Sequence, residues 1–147
     1  MDHDAAELTP VGGSVRPQSL PAEVDLATRL RALPGEWYEA WNAHDLERIL
    51  AHYADDVEFS SPFIAVHGIS QSGRISGKPG LRAYWSRAFE AYPDLHFDPI
   101  AELYGVESVT LHYRGVGGIL AAEVHELGSD GRIVRACAHY ERLPDRP

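Results

Sequence analysis

Glu123 and His125 are the side chains of this 147-residue chain whose types and spacing most directly suggest chemistry. They stand two apart in Ile119 to Leu127, ILAAEVHEL, a stretch with the alternation of a strand. Residues two apart on a strand share a face and lie about 7 Å from each other. A carboxyl and an imidazole so placed can act on one substrate or one water as a general acid/base pair. Ala121 shares their face, and with Ala122 it leaves room beside the acid. Two plainer readings stand next to this one: Glu123 as a buried acid paired with an Arg or Tyr for structure, or a register shifted by one that turns it to solvent.

Other chemistry finds less support. The chain has eight histidines, but His44, His52, His67, His96, His112, His125 and His139 fall on different elements without the HxxxH or HxE spacing that brings two ligands onto one face. No metal is expected. There is no phosphate loop, GxSxG elbow or cysteine-nucleophile pattern, and Gly115-Val116-Gly117-Gly118 reads as a hairpin turn rather than a nucleotide cradle. No cofactor is expected either.

The elements that must position these groups are clearest between Trp37 and Pro62. Trp37, Trp41, Leu46, Ile49, Leu50 and Tyr53 recur at spacings of three and four, which places them on the buried side of helical segments. Asn42-Ala43-His44-Asp45 interrupts the pattern, and Asp45 is the expected N-cap of a second helix running to about Tyr53. Val57, Phe59 and Ser61 then alternate with Glu58 and Ser60 as a half-buried strand that ends at Pro62. Upstream, AEVDLATRLRAL from Ala22 has helical spacing, and Pro34-Gly35 bends it, giving one kinked helix. Phe63 to Gly77 is expected as a short hairpin or a loop over a pocket mouth. Lys78 to Tyr92 is an amphipathic helix with Leu81, Tyr84, Trp85, Ala88 and Phe89 inside. Strands are expected at His96–Leu103, Ser108–Val116, Ile119–Leu127 and, after the turn Gly128-Ser129-Asp130-Gly131, Ile133–Glu141.

Alternation extends the inward set to Leu111 and Tyr113 on one neighbouring strand and to Ala138 and Tyr140 on the last. It assigns Thr110, His112, Arg114, Val124, Ile133, Cys137 and His139 to the outer face. A sheet face mixing apolar and polar groups in this way is a candidate homodimer interface.

Composition fits a single domain over residues 21–147 behind a Pro-, Gly- and Ser-rich arm over residues 1–20. A net charge of −9 argues against nucleic acid and anionic membranes as partners, since a phosphate-binding surface needs a basic stripe. A neutral or cationic small molecule stays open. One cysteine excludes an intrachain disulfide framework. MDHDAAELTP lacks the apolar core of a signal peptide, and no run of about 18 apolar residues exists to span a bilayer. The expected location is the cytoplasm.

The strings AWNAHDLERILAHYADDVEF, GKPGLRAYW and DGRIVRACAHY, spanning Trp37 to Arg142, resemble the SnoaL-like branch of the nuclear transport factor 2-like superfamily, which includes ketosteroid isomerases and polyketide cyclases. The resemblance implies an α+β cone: a strongly curved mixed sheet wrapped over about three helices, with an internal apolar pocket. Matched on Asp45, Pro62 and Gly131, the isomerases' oxyanion tyrosine falls at Trp37, their proton-moving carboxylate at Ser61 and their second oxyanion acid at Glu123. Tyr53 and Trp85 fall where the isomerases have pocket tyrosines. The cyclases' aspartate falls near Ala138. An unassisted hydroxyl such as Ser61 is a poor base near neutral pH, so the standard steroid route is disfavoured.

The resulting expectation is a cofactor-independent enzyme that isomerises, cyclises or hydrates an apolar or cyclic molecule. Glu123 and His125 are its candidate catalytic pair, and Trp37, Trp41, Tyr53, Phe59, Ser61, Trp85, Phe89, Leu111, Tyr113, Ala138 and Tyr140 are its candidate substrate contacts. For the Trp and Phe residues ordinary core packing is at least as good a reading. The main alternative is a small-molecule-binding or accessory domain without turnover. A weaker one is an epoxide hydrolase, whose relatives hold a water between two aspartates and an arginine.

Overall fold

The computed structural model describes residues 25–145, so the arm expected over 1–20 and residues 22–24 of the expected first helix lie outside the described residues. Helix α1, Leu26–Asn42, runs through Pro34 and buries Leu30, Leu33, Trp37, Tyr38 and Trp41. The Asp45 carboxylate caps the short helix α2, Leu46–Leu50, by accepting the Arg48 N–H at 3.2 Å. Strand β1 is Tyr53–Ser60, β2 is Arg74–Ser76, and helix α3 is Lys78–Ala91. Strands β3, Asp98–Tyr104, β4, Ser108–Arg114, β5, Leu120–Leu127, and β6, Ile133–Tyr140, follow.

The strands form one mixed sheet in the order β2-β1-β6-β5-β4-β3. Only β1 and β6 pair in parallel, which places the first long strand beside the last and leaves β3 at an edge. The helices cover one face of the curled, open sheet, the α+β arrangement expected. Two ties fix how they sit. Arg82 of α3 pairs with Glu47 of α2, and the Asn42 amide bonds both backbone groups of Phe97, accepting its N–H at 2.7 Å and donating to its carbonyl at 3.0 Å.

Two expectations need correction. The second helix stops at Leu50 rather than about Tyr53, because Tyr53 is already in the sheet beside Ile133, whose N–H donates to the His52 carbonyl at 2.8 Å. Ile133 is on the inner face and fully buried. The physical reason is a bulge: Leu127 pairs with Ile133 and its neighbour Glu126 with Arg135, so one extra residue on β6 reverses the alternation. The segment 63–77 combines both forms expected of it: β2 pairs antiparallel with β1, and the connection before it buries Ile64 and brings Phe63 and His67 to the cavity.

Candidate functional site

A cavity of about 270 Å³ opens between the helices and the inner sheet face. Its wall is aromatic. Tyr84 and Phe59 lie 6.2 Å apart by ring centroids, Phe59 and Trp85 5.8 Å, Trp85 and Trp41 5.1 Å, Trp41 and Phe97 5.1 Å, and Phe97 and Tyr113 4.7 Å. These six rings come from α1, α3, β1, β4 and the approach to β3, and all of them line the cavity. The band ends on Glu123, because the Tyr113 hydroxyl donates to Glu123 Oε1 at 3.2 Å.

Glu123 lines the cavity and is 5% exposed. Its cross-strand neighbours are Leu111 on β4 and Ala138 on β6. Its second oxygen, Oε2, is 3.0 Å from His125 Nε2. His125 is fully buried and off the cavity, packed against the rings of Trp37 and Tyr53 at 5.3 and 6.2 Å. Its Nδ1 has no hydrogen-bond partner among the described residues. An N–H there would be a buried donor without an acceptor, whereas a bare lone pair costs less. In a neutral imidazole the proton therefore sits on Nε2 and is donated to the carboxylate.

Tyrosines surround the acid and keep their protons. Burial first, and the charge of Glu123 next, push Tyr53 and Tyr113 well above the ordinary range. Burial lifts Tyr84 to about 12, with the adjacent Ser61 hydroxyl working against the rise and Glu123 adding to it. Tyr140 is raised by the same burial and charge. Each of these hydroxyls is thus a donor at neutral pH.

Of the residues expected at the site, Glu123, Trp41, Phe59, Trp85, Tyr113 and Tyr140 line the cavity. Trp37, Tyr53, Leu111 and Ala138 are buried around it without lining it, and Trp37 Nε1 donates to the Tyr53 hydroxyl at 2.9 Å. Ser61 is buried and accepts the Phe63 N–H at 3.2 Å, while Phe89 packs on Trp41 at 5.3 Å. The sequence reading also missed Phe63, His67, Leu95, Phe97, Gly115, Val116 and Ile119, which line the cavity from connecting segments or strand ends, where neither the 3.6-residue nor the two-residue period applies, and Tyr84, Ala88 and Tyr92 of α3 and its C-cap, where the helical period marks burial but not which buried side chain reaches the cavity. Among the described residues there is no cluster of three His, Cys, Asp or Glu side chains able to hold a metal. No helix among them is long and apolar enough to cross a membrane.

The sequence model of the SnoaL-like domain matches residues 35–142. No curated protein matches the chain significantly. Among solved structures it is similar to a SnoaL-like protein of unknown function from Burkholderia thailandensis, at 50% identity over 78% of this chain and 97% of that one, with a TM-score of 0.73. It is also similar to a candidate ketosteroid isomerase from Kribbella flavida, at 22% identity over 82% of this chain and 83% of that one, TM-score 0.59. A third is the epoxide hydrolase/cyclase-like enzyme SalBIII of pyran ring formation in salinomycin, at 16% identity over 79% and 92%, TM-score 0.64. These last two share the fold.

Proposed function

We propose, from the premise that the chain belongs to the SnoaL-like domain family, that it is a cofactor-independent enzyme moving a proton on an apolar or cyclic small molecule. The reaction class is isomerisation, cyclisation or hydration, and Glu123 is the group that carries the proton. The observation supporting this reading is that Glu123 is the one carboxylate on the wall of the aromatic cavity among the described residues, with each oxygen oriented by a single partner. A carboxylate oxygen can accept more than one hydrogen bond, so the protein contacts leave capacity for a substrate. His125 is then a positioning residue that holds the acid from behind.

Glu123 stands directly across the strands from Ala138, near which the resemblance places the cyclases' aspartate. An acid one strand over can reach the same substrate. Trp37 and Ser61, where the isomerases have a tyrosine and a carboxylate, give no support to the steroid route. The wall has one carboxylate and no arginine among the described residues, which does not favour an epoxide hydrolase.

A binding domain without turnover is the second reading, favoured by the engagement of both Glu123 oxygens and by the absence of His125 from the wall. The deciding experiment offers a panel of cyclic ketones, enols and epoxides in D2O and follows deuterium entry at carbon by NMR. The enzyme reading expects one class to exchange, about 10²-fold more slowly with Glu123→Gln. Binding without exchange across the panel leaves the binding domain.

The outer sheet face is proposed as a homodimer interface, supported by half-buried Val124 and Cys137 and by exposed Leu103 on the edge strand, which pairs with Thr110 of that face. Val124→Asp is expected to lower the mass in light scattering to that of a monomer. A wild-type chain already monomeric at high concentration would end the idea.

A further inference from the structure

The cavity wall carries a charge imbalance. Glu123 sits on it almost fully buried, and no Lys or Arg lines it among the described residues. The carboxylate's two partners are the Tyr113 hydroxyl and the His125 imidazole. Neither is a permanent cation. Buried carboxylates are normally paired with one, because an ion taken out of water without a counter-ion is costly. Next to this anion stands a band of six aromatic rings whose negative faces attract cations and repel anions. The net charge of −9 adds long-range attraction for the same sign of ligand.

From this combination we infer that the cavity takes an organic cation, a tertiary or quaternary amine on a compact apolar or aromatic body, whose positive nitrogen supplies the counter-charge that Glu123 lacks. This rests on the reading of the cavity as a small-molecule site. The degree of substitution follows from the lining: Glu123 is the one anionic acceptor on a wall of rings, and a primary ammonium has three N–H donors to satisfy. A tertiary ammonium has one such donor and a quaternary one has none. Their alkyl groups meet the rings instead.

Benzyltrimethylammonium and neopentylbenzene test the charge directly, since they have the same shape and differ by a nitrogen for a carbon. Titrations of the full chain, followed by tryptophan fluorescence and NMR, are expected to give the cation a Kd about tenfold or more below that of the hydrocarbon. Glu123→Gln should close most of that gap. The variant is expected to fold, because the amide carbonyl can accept from His125 while its NH2 donates to the Tyr113 hydroxyl. Equal or tighter binding of neopentylbenzene by the wild type overturns the inference but keeps the small-molecule site. Silence from both probes removes the site as well as the inference. A preference for the cation that survives Glu123→Gln unchanged also overturns it, since the counter-charge would then lie elsewhere.

Discussion

The chain contains two Glu–His pairs built alike and set in opposite surroundings. In one, His125 Nε2 meets Glu123 at 3.0 Å, with side chains 0% and 6% exposed. In the other, His52 Nε2 meets Glu36 at 3.2 Å, with side chains 13% and 49% exposed. Both imidazoles have a buried Nδ1 without a partner among the described residues. The difference is what else reaches the carboxylate. Glu36 also binds Arg29 at 2.9 Å and meets water, so its charge is answered twice. Glu123 meets a phenol and a cavity. Identical pairing geometry therefore marks a surface ion pair in one place and a candidate site in the other, and the surroundings decide which.

Deleting each imidazole is expected to have the largest effect. His125→Ala removes one hydrogen bond to the buried Glu123 and opens a void against Trp37 and Tyr53, and is expected to cost about 3–5 kcal/mol. His52→Ala, beside the exposed Glu36 carboxylate, is expected to cost about 1 kcal/mol. Denaturant midpoints at fixed slope measure both. Similar losses at the two positions would show that burial does not separate the pairs in the way the geometry indicates.

The same contrast explains what the sequence made legible. Periodicity found α3, β4 and β5 almost to the residue, and the parity argument on β5 put Glu123 and His125 on one face, where they are. Parity fails where the ladder is irregular. Ile133 was assigned outward because alternation counts residues, and the bulge near Glu126 adds one that the count cannot see. Shared face also did not mean shared exposure to the cavity: β5 directs both side chains inward, but only Glu123 reaches the wall, since Trp37 and Tyr53 close over His125. The rings contributed by Phe63, His67 and Phe97 sit on segments held by tertiary contacts. Asn42, expected only as a helix break, fixes Phe97 through two hydrogen bonds, and that partnership spans 55 positions with no local signal.

A smaller effect sharpens the surface half of the comparison. The Arg29 guanidinium holds the Glu36 carboxyl below its ordinary value of 4.5 against the opposing push of burial, and the His52 imidazole adds a smaller pull in the same direction as Arg29. A group whose pKa is lower in the folded state stabilises the fold above its unfolded value, and the contribution is lost as pH falls through the folded value. Glu36→Gln removes that contribution. The difference in Tm between wild type and variant is therefore expected to be constant near neutral pH and to shrink as the pH drops below about 4.5. Arg29→Gln should shrink it nearly as much, because Arg29 is the larger cause, whereas His52→Ala should have the lesser effect. A wild-type-to-variant difference that stays the same from pH 7 to pH 3, each value about where unfolded carboxylates are ionised and protonated respectively, would mean that Arg29 does not supply the counter-charge, and the surface pair would then offer no contrast to the one at Glu123.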